Sequence, residues 1–402
     1  MKNFLRRLFF ELFGIMITRG DKRIVSLRSE NDRRGIVLLS YVIDPFLKRN
    51  SDNIPVSHTK YWESLQIAKT FLELGFDVDV INYNNSLFFP NKSYNIFIGS
   101  RINFEKTAQR LNPDCIKIAH LTISHWCYNN KAQCERVLSV QKKKGVTIYP
   151  IKMAETNLAI EYADFATILG NHVTIDTYKY ANKTIYPVRI STPVLFPWIE
   201  NKKFNECRKN FLWFGSEGLV HKGLDLVLEV FSEMPDYNLT VCGPVSDEKD
   251  FERTYYKELY QTPNIKTVGW VDIDSQEFHE IINNSIAFVY PSCAEGQSGG
   301  VVTCLHASLI PIVSIQSGVD ISDDFGISLR QCTHDELKKS ITYISQLKNH
   351  DLEKMAKKAW EFARENHTRE TFSRDYKNAI TSILRERNIS SKQNKSFAGY
   401  AR

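Results

Sequence analysis

The sequence lacks several features that would assign it to a specialised class of protein. It has no CxxC pair among its eight cysteines, and no internal repeat or low-complexity tract. Its single Cys/His cluster has looser spacing than the paired ligands of a zinc site, and consists of His120, His125, Cys127 and Cys134. We therefore predict scattered reduced thiols, as in a cytosolic protein, with neither a bound metal nor a cofactor.

The sequence also lacks the basic stripe by which a folded domain recognises nucleic acid. The formal net charge is +6, of which residues 1–34 contribute +5 and residues 385–402 contribute +4. The body between these ends therefore carries a charge of about −3. Basic ends on a nearly neutral body fit a membrane surface better than a nucleic acid. We expect no nucleic-acid partner.

The first residues contain no apolar run of the roughly 20 residues that a membrane span requires. The stretch from Phe4 to Ile17 is interrupted by charges and lacks the clean apolar core of a signal peptide. On a helix, its apolar side chains would share one face: Phe4, Leu5, Leu8, Phe9, Leu12, Phe13 and Met16. Two interpretations stay open, a helix lying in the plane of a membrane surface and a helix packed on its own protein.

The rest of the chain has the composition of an ordinary globular protein. With 402 residues it can bury more than one core, and strand-like segments alternate with helix-like ones, which predicts βαβ units and parallel sheets. We predict an amphipathic helix over 1–22, a Rossmann-like domain over 23–195 and a second one over 196–372. A C-terminal helix over 373–388, packing back on the first domain, and a polar tail over 389–402 complete the predicted organisation.

One segment, Ala294 to Thr303, combines a carboxylate with glycines at the entrance to a predicted helix. It follows an apolar strand and contains Glu295, Gly296, Gly299 and Gly300. Backbone N–H groups at a helix N-terminus favour a phosphate, and glycines let the ligand approach the backbone. A carboxylate there can accept hydrogen bonds from sugar hydroxyls. The segment could thus bind a diphosphate and a sugar, or it could be a plain glycine-rich turn.

A second segment, Phe214 to Gly223, has the same design. A strand ends at Gly215, and Lys222 precedes a predicted helix. A cation at the N-terminus of a helix is unfavourable for the helix dipole, and it is explained if it faces a bound phosphate. The alternative is a surface lysine with no ligand.

Together these segments resemble the retaining glycosyltransferases of family 4, and in particular its bacterial members. The resemblance covers roughly Phe211 to Leu384, and the first half more weakly. It implies an α/β chain with the GT-B fold, in which two Rossmann-like, doubly wound parallel-sheet domains face a cleft. The first domain would bind a glycan or lipid-linked acceptor, and the second would bind a nucleotide-sugar donor.

The resemblance also assigns roles to individual residues. It implies that Lys222 binds the donor diphosphate and that Glu295 contacts the donor sugar. The remaining substrate-binding candidates are Gly215, Ser216, Gly243, Val271, Gln297, Ser298, Gly299, Gly300 and Thr303. His125 is the catalytic candidate in the acceptor domain, although it could equally be a loop histidine paired with Trp126 or with the backbone.

This sequence departs from the family pattern at two positions. Ser216 stands where the family has an arginine, so one cation is missing. Thr303 stands where the family has a second glutamate that binds the ribose, and a hydroxyl cannot offer two charged acceptors. These departures leave open a non-catalytic subunit that binds a nucleotide sugar through a degenerate donor site.

The resulting hypothesis is a hexosyltransferase-like enzyme of cell-surface polysaccharide synthesis, acting with retention and without metal. It would lie in the cytoplasm at the inner face of the cell membrane, with peripheral contact through the N-terminus. A metal-dependent GT-A enzyme would need an Asp-x-Asp motif. Of the two such spellings, Asp77 to Asp79 falls within a predicted strand, and Asp272 to Asp274 is interpreted as a helix cap.

Overall fold

The computed structural model describes residues 23–47 and 58–398, and the predicted amphipathic helix over 1–22 lies outside them. The first sheet has seven strands: β1 Ile24–Leu27, β2 Gly35–Tyr41, β3 Phe76–Asn82, β4 Ile96–Gly99, β5 Ile116–Leu121, β6 Phe165–Leu169 and β7 Ile185–Val188. Their order is β1-β3-β2-β4-β5-β6-β7. Only β1, at the edge, runs antiparallel to its neighbour.

The second sheet has six strands, all parallel: β8 Asn210–Phe214, β9 Asn238–Cys242, β10 Ile265–Gly269, β11 Ala287–Tyr290, β12 Ile310–Ser314 and β13 Ile327–Leu329. Their order is β10-β9-β8-β11-β12-β13. The strand order reverses between β8 and β11, and such a switch point is where open parallel sheets bind ligands. The predicted fold class is confirmed.

The helices of the described residues are α1 Asp44–Leu47, α2 Lys60–Glu73, α3 Phe104–Ala108, α4 Trp126–Lys144, α5 Ala159–Tyr162, α6 His172–Asp176, α7 Phe204–Cys207, α8 Leu224–Ser232, α9 Lys249–Thr254, α10 Tyr256–Tyr260, α11 Gln276–Asn283, α12 Gly299–His306, α13 His334–Gln346, α14 Asn349–Asn366 and α15 Arg369–Ala398. None of them is long and apolar enough to cross a membrane.

Several helix ends follow directly from the sequence. The Ser275 hydroxyl accepts a hydrogen bond from the Phe278 N–H at 3.2 Å and so caps α11. The expectation that Asp272 to Asp274 caps this helix is therefore wrong, because a hydroxyl next to the helix performs that role. Gly145 ends α4 in the left-handed conformation, and its N–H donates to the Gln141 carbonyl at 2.9 Å.

Two parts of the chain connect the domains. Helix α4 follows β5 of the first sheet, yet Val137 and Val140 are buried in the core of the second domain. At the other end of the chain, α15 returns to the first domain, where Asp375 pairs with Arg189 at 3.0 Å and Lys377 pairs with Glu73 at 3.1 Å. The predicted boundaries at 195, 372 and 388 stay a prediction.

Candidate active site

The two glycine-bearing segments meet at the switch point of the second sheet. Strands β8 and β11 are adjacent and parallel, so the segments that follow them leave the sheet at the same edge. The Cys293 N–H donates to the His221 carbonyl at 2.9 Å and ties one segment to the other. The structure therefore brings Lys222 and Glu295 together, although 73 positions separate them in the chain.

The centre of the site is formed by three side chains. The Lys222 ammonium donates to Glu295 Oε1 at 3.0 Å, and the Tyr290 hydroxyl donates to the same oxygen at 2.9 Å. Oε2 of Glu295 makes no hydrogen bond within the described part of the chain. One carboxylate oxygen is thus held in place, and the other is available to a hydroxyl of a ligand.

Lys222 and Glu295 are both ionised. Burial alone would lower the pKa of Lys222, but the Glu295 carboxylate and Tyr290 raise it above its ordinary value. Burial would likewise raise the pKa of Glu295, but Lys222 holds it below its ordinary value. His221 is buried, which lowers its pKa to about 4 and leaves its imidazole neutral at physiological pH. The net charge of the centre is close to zero.

The N-terminus of α12 faces open space beside this centre. A Cβ atom at Gly299 would meet nothing within 4 Å, whereas one at Gly300 would lie 3.3 Å from the Phe214 carbonyl oxygen. The N–H groups of Gly299, Gly300 and Val301 have no carbonyl partner among the described residues. Orphan N–H groups and the positive end of the helix dipole together form an anion site, bounded by the buried Ser298.

Glycines also line the ends of the neighbouring strands. The Gly215 N–H donates to the Cys242 carbonyl at 3.0 Å, and the Gly243 N–H donates to the Gly269 carbonyl at 2.8 Å. A Cβ atom at Gly243 would lie 2.7 Å from the Gly215 carbonyl oxygen. A side chain at Gly243 would force the backbone apart, so close packing explains this glycine, which is one of the predicted substrate-binding positions.

The backbone of the segment before Lys222 is held by buried hydrogen bonds and close packing. The buried Glu248 carboxylate accepts hydrogen bonds from the N–H groups of Gly218 and Leu219. Gly223 caps α8 with φ +77°, and a Cβ atom there would lie 2.4 Å from the Pro291 carbonyl oxygen. Ser216, by contrast, is exposed and makes no hydrogen bond among the described residues. The missing cation is not replaced from within this segment.

Thr303, the second departure, bonds to its own helix. Its hydroxyl donates to the Gly299 carbonyl at 2.9 Å, and its side chain is buried. The hydroxyl oxygen can still accept one hydrogen bond from a ribose. A ribose contact at this position stays a prediction.

Two other predicted residues have partners outside the Lys222–Glu295 pair. The Gln297 side chain accepts a hydrogen bond from the Ile190 N–H at 2.7 Å, which links the donor segment to the end of the first domain. It also lines a cavity of about 650 Å³ between β7 and α15. Val271 is buried in a core cluster that also contains Phe278. Their substrate contacts stay predictions, and their present contacts are structural.

His125 is the N-cap of α4 and has partners at both ring nitrogens. Nδ1 accepts from the Cys127 N–H at 3.4 Å, and Nε2 lies 2.9 Å from the Tyr180 hydroxyl. That hydroxyl donates to Glu161, so Nε2 must carry the proton. Burial lowers the pKa of His125 despite the nearby Glu161. In this arrangement neither ring nitrogen is available to the hydroxyl of an acceptor substrate. The catalytic role of His125 stays a prediction.

Sequence reasoning missed three residues that shape the site. Tyr290 is the last residue of β11, so the rule that ligands bind beyond strand ends could have identified it. Arg136 lies on α4, and its guanidinium contacts Asp225 at 3.3 Å and the Pro291 carbonyl at 3.2 Å. Gln133, one turn earlier, contacts the His221 ring at 2.9 Å. No sequence signal connects α4 to the second domain.

Among residues 23–47 and 58–398, no group of three or more His, Cys, Asp and Glu side chains could hold a metal ion. The Asp-x-Asp spelling at 77–79 lies within β3, where Asp77 pairs with Arg28 at 2.7 Å and Asp79 pairs with Lys92 at 2.6 Å. These carboxylates have cationic partners of their own.

Comparison with solved structures shows which fold these domains share. The match to a sucrose-phosphate synthase from Thermosynechococcus elongatus covers 87% of this chain and 99% of the synthase chain, at 12% identity and TM-score 0.59. A glycosyltransferase from Rickettsia africae matches with the same coverage and identity at TM-score 0.56. HepE from Anabaena, solved with UDP and glucose, matches 87% of this chain over 98% of its own, at 11% identity and TM-score 0.53.

The match to TarM from S. aureus covers 70% of this chain but only 54% of the TarM chain, at TM-score 0.49. No curated protein is similar enough in sequence to give a significant match. Residues 198–365 match the family model described as glycosyl transferases group 1. They contain Lys222, Glu295 and α12, the parts from which the site above is built. Residues 198–365 are therefore similar to the group 1 glycosyl transferases, and the chain has the GT-B fold.

Proposed function

We propose that this chain transfers a sugar from a nucleotide-sugar donor to a glycan or lipid-linked acceptor, with retention and without metal, in cell-surface polysaccharide synthesis. One observation carries the proposal: an ionised Lys222–Glu295 pair lies beside the open N-terminus of α12. This arrangement offers a cation and backbone N–H groups to a diphosphate, and a carboxylate oxygen to a sugar hydroxyl.

In the proposed reaction, the bond breaks between the anomeric carbon of the sugar and the oxygen that links it to the diphosphate. Negative charge then develops on the leaving diphosphate, where the Lys222 ammonium and the N–H groups of Gly299 and Gly300 stabilise it. The departing phosphate oxygen takes the proton of the acceptor hydroxyl, which attacks from the same side. Glu295 orients the sugar through its unbonded Oε2, while Lys222 and Tyr290 hold Oε1.

A nucleotide-sugar-binding subunit without turnover is the second candidate. The observations that favour it are the exposed Ser216, which offers no charge, and the Thr303 hydroxyl, which is already donated to Gly299. Such a subunit would bind the donor but would not release its diphosphate.

The deciding experiment incubates the full chain with a panel of nucleotide sugars, beginning with UDP-glucose, and follows the release of nucleoside diphosphate. Isothermal titration calorimetry on the same samples measures binding of each donor. We expect one donor to bind and to be turned over, and NMR of the product to show the anomeric configuration of the donor. Binding without turnover would favour the subunit, and absence of any binding would contradict the donor site itself.

A further inference from the structure

The second domain offers little net charge to a diphosphate. The Lys222 ammonium is paired with Glu295 at 3.0 Å, and no other cation of the segment 214–223 is present, because Ser216 is uncharged and His221 is neutral. The leaving group that the proposed function requires carries several negative charges. A cation from elsewhere in the molecule would therefore strengthen the binding of a diphosphate at this segment.

Lys152 of the first domain lies directly on that segment. It follows α4, and its backbone carbonyl accepts a hydrogen bond from Asn129 Nδ2 at 2.8 Å. Its aliphatic stem crosses Gly218, where an added Cβ atom would lie 2.4 Å from Lys152 Cγ. Gly218 has φ +89°, so its missing side chain and its backbone conformation both suit this close approach. The ammonium then reaches Glu217 Oε1 at 2.8 Å.

The Glu217 carboxylate marks a point at which cations from both domains converge. Its side chain is 64% exposed, yet its pKa is lowered by the hydrogen bond and charge of Lys152, and further by the charges of Lys222 and Lys60. Lys60 begins α2 of the first domain and makes no salt bridge within the described residues. An anion at this point is thus stabilised by the second domain on one side and by the first domain on the other.

Arg101 adds to the same positive region. It follows β4 at the carboxyl edge of the first sheet, with φ +63° in the left-handed region, and it also makes no salt bridge among the described residues. Burial, followed by the charges of Arg101 and Lys152, depresses the pKa of Lys60. Positive charges gathered at one place raise the local concentration of an anion there.

We propose that Lys152 is a ligand of the donor diphosphate, and that it exchanges its contact with Glu217 for the diphosphate when the donor binds. Lys60 and Arg101 strengthen the positive field without replacing this contact. The exchange costs little, because an ion pair with an exposed carboxylate contributes little to stability. The cation that is absent at Ser216 is thus supplied across the cleft. This inference rests on the proposed function and extends its donor site to the first domain.

The test compares Lys152→Met with Glu217→Gln in the full chain, by titration with inorganic pyrophosphate and with the nucleoside diphosphate that the wild type binds best. We expect Lys152→Met to weaken diphosphate binding about 10- to 100-fold, as loss of a charge-assisted hydrogen bond does. Binding of the uncharged nucleoside should be unchanged. Lys152→Arg should retain most of the affinity. Glu217→Gln should tighten diphosphate binding, because it removes the competing carboxylate.

The control is Lys203→Met. It removes a lysine that pairs with Glu206 at 3.1 Å, and the side chains of both residues are exposed. It should bind like the wild type. If the Lys152–Glu217 bridge only joined the domains, Lys152→Met and Glu217→Gln would weaken binding equally, which would overturn the inference. Unchanged binding by Lys152→Met would overturn it as well and would leave the proposed function standing. A wild type that binds neither pyrophosphate nor any nucleoside diphosphate contradicts both.

Discussion

The Lys222 ammonium and the Glu295 carboxylate lie 3.0 Å apart, with only 9% and 16% of their side chains exposed. Their charges neutralise each other in a place where water cannot do so. Removing one partner leaves the other charge buried and unpaired, which commonly costs about 3–5 kcal/mol. Each charge therefore requires the other in the absence of donor, and in our proposal the two bind different parts of the donor when it is present.

Lys222→Met and Glu295→Gln should differ in their effect on binding of the nucleoside diphosphate. The first removes the cation beside α12, so we expect diphosphate affinity to fall about tenfold or more. The second releases Lys222 from its partner, so diphosphate affinity should be kept or rise, while sugar transfer falls about 100-fold or more. Calorimetry with the nucleoside diphosphate and assays of diphosphate release measure the two effects. Equal loss of diphosphate affinity in both variants would contradict the division of roles.

Gly223→Ala should destabilise the protein more than Gly145→Ala. Both glycines have a left-handed φ, +77° and +72°, but an added Cβ atom would lie 2.4 Å from the Pro291 carbonyl at Gly223 and meets nothing within 4 Å at Gly145. The control therefore reports backbone strain alone, about 1–2 kcal/mol. We expect a further loss of about 1–3 kcal/mol at Gly223, measured by urea unfolding. Equal losses would show that the segments are free to separate.

Thr303→Val should remove the preference for a ribose without unfolding α12. The Thr303 hydroxyl donates to Gly299, so only its oxygen is available to accept from the ligand. Losing one such bond costs about 1 kcal/mol, or roughly fivefold in affinity. The measurement compares a nucleoside diphosphate with its 2′-deoxy and 3′-deoxy analogues. If the variant still discriminates against both analogues as strongly as the wild type, the ribose does not contact Thr303.

Glu63→Gln should change how stability depends on pH. Burial raises the pKa of Glu63 to about 7, against the hydrogen bonds from Ser191 that lower it. Between its ordinary pKa of about 4.5 and 7, the folded protein binds this proton more tightly than the unfolded chain, so stability falls as pH rises through that window. Above pH 7 the variant should be more stable by on the order of 3 kcal/mol.

The comparison between wild type and variant isolates Glu63. Buried histidines such as His120 have a lowered pKa, about 4, and they stabilise the fold above pH 6.5 and lose that contribution as pH falls. They act equally in both proteins, so the difference in urea-unfolding free energy between pH 5 and pH 8 belongs to Glu63. A pH-independent difference would show that its carboxyl is not protonated in the folded protein.

Deleting residues 1–22 should reduce binding to anionic vesicles. Residues 1–22 hold five Lys/Arg against two acids, a net charge of +3, and the predicted helix over them is amphipathic. Each basic residue near an anionic surface contributes about 1 kcal/mol. Flotation with vesicles of phosphatidylserine and phosphatidylcholine tests this, with pure phosphatidylcholine as the control lipid. If the shortened chain floats as well as the full chain, the alternative of a helix packed on its own protein is favoured.

Much of the fold could be predicted because its signals are local. The predicted alternation of strands and helices rests on elements such as β9, β12 and α11, since a buried parallel strand is a short apolar run and a helix repeats its apolar face. The short edge strands β1 and β13 were not predicted. A strand of three or four residues at the edge of a sheet has too few buried positions to show a pattern, and it is defined by its neighbour.

The candidate site, like the fold, has features that local sequence signals predict and features that they do not. The sequence by itself determined that glycines follow the strands of the second domain, and that Lys222 and Glu295 lie beyond the ends of β8 and β11. Only the tertiary structure decided that these two charges are paired, that Gln297 is bonded to Ile190, and that Lys152 lies on Gly218. Strand ends are set by residues that are neighbours in the chain. Contacts between residues far apart in the chain depend on the order of the strands within a sheet and on how the two sheets are joined, and no local pattern of side chains records that geometry.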